Sequence, residues 1–329
     1  MNGKNLLCTC FSILALVPSD AAVLMNWVTI GNARNAANQD FGNGTYGSVG
    51  YTYQISMHEV TNAQYVEFLN AVDTGGSNPN GVYNTNMDSD ARGGITFNSG
   101  AANGSKYEVK SNMADKPVNY VSHLDAQRFT NWIQNGQGNA STETGAYIVG
   151  NLATHSGAAS VWIPTENEWY KAAYYDPTLN GGTGGYWQYA TKSDTAPSIA
   201  TSTITGEISN PGLNVANYGH GADWNGQDGN LTTVGSAGPG SASYYGTFDQ
   251  GGNVAEWSDV VVGSNRGIRG SSWNIDAPSA LLAADRHHQD PLLENPDWGF
   301  RLAGAVPEPS RAVLALVGLL LVYLRRQRQ

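Results

Sequence analysis

Tyr65, Phe68, Leu69 and Val72 recur at the three-and-four spacing of one helix face. Thr61 stands ahead of them as a cap and Gln64 is placed to reach back, which makes a capping box. The same arrangement occurs twice more. Ser122 and Asp125 precede the apolar stripe Phe129, Trp132 and Ile133, and Thr165 and Glu168 open the run Trp169-Tyr170-Lys171-Ala172-Ala173. Glu166 lies in the first turn of that third helix, where the helix dipole favours negative charge. Trp27 to Ile30 reads as a strand turning at Gly31-Asn32. Gly47 to Met57 alternates loosely through Val49, Tyr51, Tyr53, Ile55 and Met57, as a second strand would. Between these elements the chain is polar and rich in Gly, Asn, Ser and Thr. Residues 74–112 read as a long surface loop with room for a hairpin, and 134–160 as a second polar insertion. Residues 180–245 are too long for a free loop in a compact domain, so something must hold them, and bound cations are one answer.

The two ends carry a different pattern. Lys4, the apolar run Leu6 to Val17 and the small residues up to Ala22 have the order of a secretory signal peptide, with cleavage near Ala21 or Ala22. At the other end Val306-Pro307-Glu308-Pro309-Ser310 leads into the apolar run Ala312 to Leu324 and then Arg325-Arg326-Gln327-Arg328. That run falls short of the roughly 20 residues of a comfortable span, and the arginines would hold its end in the cytoplasm. The expected organisation is a leader over 1–22, one domain over 23–304 and a sorting or anchor segment over 305–329, with the domain exported.

Composition narrows the chemistry. With Gly 40 and only 13% charged residues among 329, the chain is loop-rich rather than helical. A net charge of −10 argues against nucleic acid, whose phosphates need a basic face, and is compatible with cation binding. The two cysteines, Cys8 and Cys10, both fall in the leader. The domain therefore has no thiol for a disulfide, a thiolate metal site or a nucleophile. No phosphate loop, nucleophile elbow or zinc spacing occurs.

Gly252-Asn253-Val254-Ala255-Glu256-Trp257 carries the most chemistry. The glycines allow a tight turn, while Asn, a carbonyl and Glu supply oxygens that suit a hard cation. By spacing alone a turn with a buried carboxylate is the favoured reading. Trp162-Ile163-Pro164-Thr165-Glu166-Asn167-Glu168-Trp169 precedes it; Arg269-Gly270-Ser271-Ser272-Trp273 and Gly299-Phe300-Arg301-Leu302 follow. In that order the four motifs resemble the formylglycine-generating enzyme (sulfatase-modifying factor) family over about Trp27 to Ala303. The resemblance implies an α+β fold related to C-type lectins, with twisted antiparallel strands, few helices and much irregular chain. It also implies two structural calcium sites. One carries over as Asn217, the carbonyl of Tyr218, Asp228 and the carbonyl of Asn230; the other as Asp249, the carbonyls of Gly252 and Val254, and Glu256. The family usually has Arg where Trp162 stands, so a polar contact is expected to be missing there. It has an aromatic residue where His123 stands, so His123 is expected to pack rather than bind metal. The Pro-Glu-Pro tail resembles the PEP-CTERM sorting signal, which implies the export machinery and an exosortase as partners.

The family's copper-binding cysteines would fall on or near Ile275 and Ala280, neither of which can bind copper, so no copper is expected. A related branch uses iron held by histidines. Here His287-His288 is the one pair, and neighbours on a strand face opposite ways. The expectation is a non-catalytic, calcium-stabilised surface or matrix protein that binds a glycan or a surface protein. Tyr186, Trp187, Trp224, Tyr244 and Tyr245 are its candidate contacts. Two alternatives stand beside it. One is an enzyme of altered chemistry using Asp276, Ser279, Asp285, Arg286 and His287; the other is a purely structural surface protein.

Overall fold

The computed structural model describes residues 22–39 and 44–307. Residues 1–21 and 308–329, which carry the expected leader and most of the expected tail, lie outside the described residues. Two four-stranded sheets frame the domain. In the first, Trp27–Ile30, Tyr53–Ser56, Ala303–Ala305 and Val161–Trp162 lie side by side in that order, all antiparallel. In the second the order is His287–Gln289, Asn265–Arg269, Ala255–Val262 and Trp298–Gly299, and only the last strand joins parallel. The domain boundary expected at 304 falls inside the strand Ala303–Ala305.

Helices Asn62–Val72, His123–Gln134 and Glu166–Tyr174 all begin with the capping boxes the sequence spells out. The first two bury their apolar stripes against each other and the sheets. Phe68 meets Phe129 and Trp132, each with ring centroids 5.4 Å apart, and Phe129 meets Phe300 at 5.5 Å. These edge-on contacts suit aromatic quadrupoles and make the centre of the core. His123 packs as expected, buried edge-on against Trp257. Because Thr61 satisfies an otherwise unpaired backbone N–H, Thr61→Ala is expected to cost about 1 kcal/mol. The check is a lowered urea midpoint at unchanged slope.

The polar insertions are less loose than their composition suggests. Residues 74–112 hold a short helix, Asn86–Ser89, and a hairpin of Ile95–Phe97 with Tyr107–Val109, and they bury Val82, Met87, Ile95 and Tyr107. Only Tyr53–Ser56 of the alternating run 47–57 forms a strand. Residues 180–245 are held by direct contacts. A short parallel ladder pairs Ser198–Ile199 with Val215–Ala216. Trp224 is buried, donates from Nε1 to the Leu231 carbonyl at 2.8 Å, and lies under the Lys116 ammonium. Among the described residues no helix is long and apolar enough to cross a membrane.

Candidate functional site

Glu256 sits where the Gly252–Trp257 turn enters its strand, and Arg301 follows the parallel strand Trp298–Gly299. They meet in a bidentate pair. Arg301 Nε donates to Glu256 Oε2 at 2.6 Å and Nη2 to Oε1 at 2.7 Å. The remaining guanidinium donors reach the carbonyls of Ser56, Met57 and Phe248. Trp169 Nε1 donates to the same Glu256 Oε2 at 2.7 Å. Both Glu256 oxygens are thus committed to protein donors.

Two more carboxyls face this guanidinium. Glu59 Oε2 is 3.9 Å from Arg301 Nη2 and has no hydrogen-bond partner, while Oε1 accepts from Asn253 Nδ2 at 3.2 Å. Burial, reinforced by Asp249, raises the Glu59 carboxyl well above the usual range. Asp249 accepts from the Gly235 N–H at 2.6 Å, and burial pushes it up to about 6. Of the second expected calcium set, Asp249 and Glu256 both face Arg301, and Glu256 is bound by it. Arg301, Glu59 and Trp169 were missed from the sequence. The signal was present, since Arg301 lies in a quoted motif and a buried carboxylate needs a cation.

The other expected set is arranged differently. Asn217 Nδ2 donates to the Asn230 carbonyl at 2.9 Å, leaving Asn217 Oδ1 buried and unpartnered. Asp228 is exposed, and its carbonyl accepts from Arg92. Asn217 Nδ2 also donates to Thr232 Oγ1 at 3.2 Å and to Asn253 Oδ1 at 3.3 Å, so three acceptors fix the amide in this orientation. The buried Asn217 Oδ1 is the feature of this set that a cation could occupy. Among the described residues no three His, Cys, Asp or Glu side chains are grouped to hold a metal ion.

A groove of about 420 Å³ lies between the second sheet and the 271–298 segment. Ile275 and Ala280 both line it, so the two positions expected to lack cysteine do share one cavity. Leu281 and Leu282 do not fill it; they pack with Tyr189, Ala216 and Tyr218 instead. The five-residue polar cluster divides. Ser279, Asp285 and His287 line the groove, and His287 Nε2 lies 2.9 Å from Asp285 Oδ2, a hydrogen bond that raises the imidazole pKa. Asp276 faces His220 at 3.9 Å, and Arg286 turns to Glu166. Gln289, Asp297 and Trp298 also line the groove and escaped the sequence reading. Ser272 Oγ donates to Asp297 Oδ2 at 2.7 Å, and burial raises the Asp297 pKa. Trp298 forms the apolar wall, edge-on to Trp257 at 5.3 Å.

Glu166 does more than complement a dipole. Arg269 and Arg286 both clamp it, at 2.6 Å each, and against the effect of burial they hold its carboxyl below the usual range. The contact expected to be missing at Trp162 is replaced, because Trp162 Nε1 donates to Glu168 Oε2 at 3.0 Å. Of the aromatic candidates, Trp224 belongs to the interior. Tyr186 and Trp187 are half-buried, with their polar atoms bonded to the Ala36 carbonyl and Asp176. Tyr244 is 42% exposed and pairs edge-on with Tyr245, so these two form the accessible aromatic surface.

The two sheets, few helices and long irregular connections define an α+β domain built around a buried Arg–Glu pair. A family model described as a sulfatase-modifying factor enzyme 1-like domain matches residues 25–306, and the chain belongs to that family. Among solved structures, a crystal structure of CarF shares the fold. It is 19% identical, with TM-score 0.51, over 86% of this chain and 99% of that one. Treponema denticola variable protein 1 matches at 21% identity over 86% of this chain and 95% of that one, with TM-score 0.46. PvdO from Pseudomonas aeruginosa matches at 16% identity over 86% and 92%, also at 0.46. No curated protein sequence matches the chain.

Proposed function

We propose that this protein is an exported, non-catalytic member of its family that binds a glycan or a surface protein, with the 271–298 groove as its ligand site and calcium as a structural ion. The observation that carries the reading is the content of the groove. Its Ile275 and Ala280 positions offer no soft ligand, and its polar side chains are tied in the pairs Asp285–His287 and Ser272–Asp297. Trp298 beside carboxylates and the Gln289 amide gives the apolar face and polar edge that sugars require. Export rests on the leader and on the Pro-Glu-Pro tail, which an exosortase would process. Calcium would be held by Asn217 and the carbonyls of Tyr218 and Asn230.

Metal content and thermal unfolding test this together. Saturating calcium is expected to raise the midpoint by several degrees, the shift that about 2.7 kcal/mol of linkage gives at a hundredfold excess over Kd. A chelator would reverse it. No calcium shift, and no saturable retention on extracellular polysaccharide or surface protein, would remove the reading. A second reading, an enzyme of altered chemistry, is favoured by the Asp285–His287 pair. Stoichiometric copper or iron in the purified protein would put it first.

A further inference from the structure

Residues 290–297 cross the start of the helix His123–Gln134 before they reach the groove. Backbone bonds hold them there: the His123 N–H donates to the Pro291 carbonyl at 3.0 Å and the Tyr120 N–H to the Asn295 carbonyl at 2.9 Å. The Asn119 amide donates to the Pro296 carbonyl at 2.7 Å. In the middle of the segment Glu294 points inward. Its carboxyl hydrogen-bonds the carboxyl of Asp125, and the Asn84 amide donates to Glu294 Oε2. Asp125 Oδ2 accepts from the Ser122 N–H at 2.9 Å and the Ser122 hydroxyl at 2.6 Å as part of the helix cap. Two carboxyls in contact require a proton between them. Because Asp125 already accepts from the cap, the proton belongs to Glu294. The segment then ends at Asp297 and Trp298, which form one wall of the groove.

We infer that the Glu294–Asp125 carboxyl pair is a proton-operated latch on the groove. With the shared proton in place, residues 290–297 stay against the helix start. Its loss sets two carboxylates against each other and loosens the segment that places Asp297 and Trp298. The consequence for ligand binding rests on the groove being the ligand site; the latch itself does not.

The surroundings offer little compensation. Arg128 is the nearest cation, 3.7 Å from Asp125 Oδ1, and is shared with Glu143 at 2.8 Å. The Tyr65 hydroxyl faces the pair but donates to the Val82 carbonyl. Burial, with Asp125 beside it, pushes Glu294 up to about 7. The folded segment therefore holds a proton that a released Glu294 would lose at an ordinary carboxylate pKa. Hence the closed state is favoured at low pH, loses ground as pH rises toward about 7, and changes little beyond.

Hydrogen exchange of the Tyr120 and His123 amides tests the latch without any ligand. Measured as the ratio of wild type to Glu294→Gln at each pH, which cancels intrinsic base catalysis, exchange is expected to rise about tenfold between about pH 6 and pH 8. Glu294→Ala, which also lacks the charge, should have no pH-dependent excess either, and it serves if the glutamine variant folds poorly. A ratio that stays flat across this range overturns the latch. A rising ratio with groove binding unaffected by pH would keep the latch and count against the groove as the ligand site.

Discussion

Arg301→Ala is expected to lose about 3–5 kcal/mol, much of the total stability of a typical domain. The side chain is fully buried and satisfies both Glu256 oxygens together with the Ser56, Met57 and Phe248 carbonyls. Its removal leaves Glu256, Glu59 and Asp249 facing one another with no cation. Arg301→Lys should recover little, because an ammonium cannot present the planar fork or reach all five acceptors. Urea unfolding followed by Trp fluorescence measures both variants. A loss below about 1 kcal/mol in Arg301→Ala would mean that another cation neutralises the cluster.

Gly252→Ala is expected to cost at least about 3 kcal/mol, combining backbone strain with a steric overlap. Gly252 has φ of +93°, and a Cβ there would overlap the Asn217 carbonyl oxygen. That carbonyl accepts from the Asn253 N–H at 2.8 Å, and the Gly252 N–H donates to the Gly270 carbonyl at 2.8 Å. One methyl group would therefore pry apart the turn, the 217 segment and the Arg269–Trp273 motif together. Gly263→Ala is the control, since Gly263 has φ of +63° with open space around it. Equal losses in the two variants would assign the whole effect to φ and none to the overlap.

Local order was legible wherever the signal was local. Thr61, Ser122 and Thr165 were each legible as caps because cap and partner lie within one turn of each other and the apolar stripe follows directly. Motif order gave the family fold for a similar reason, since each motif fixes its own turn. Pairings across the chain were not legible. Glu256 and Arg301 are 45 residues apart, and Glu166 meets Arg286 from 120 residues away. No periodicity connects such positions; only the packing of two sheets does. The groove was legible at Ile275 and Ala280, whose neighbours are sequential. Its other wall was not, because Asp297 and Trp298 arrive from a parallel strand pairing. The insertions were legible in part: the hairpin within 74–112 was expected, and the buried anchors were not. Gly and Asn contents that suggest looseness instead supply positive-φ turns, as at Asn214 and Asn225, between buried anchors such as Val215 and Trp224.

The strand Ala303–Ala305 lies inside its sheet, between Tyr53–Ser56 and Val161–Trp162. A chain still growing on the ribosome therefore carries both flanking strands long before the one that joins them. Until residue 305 emerges, two strand edges stay open to pairing with other chains. Completion of the first sheet therefore waits on residues 303–305, however early the helices and the hairpin of the first two strands can form.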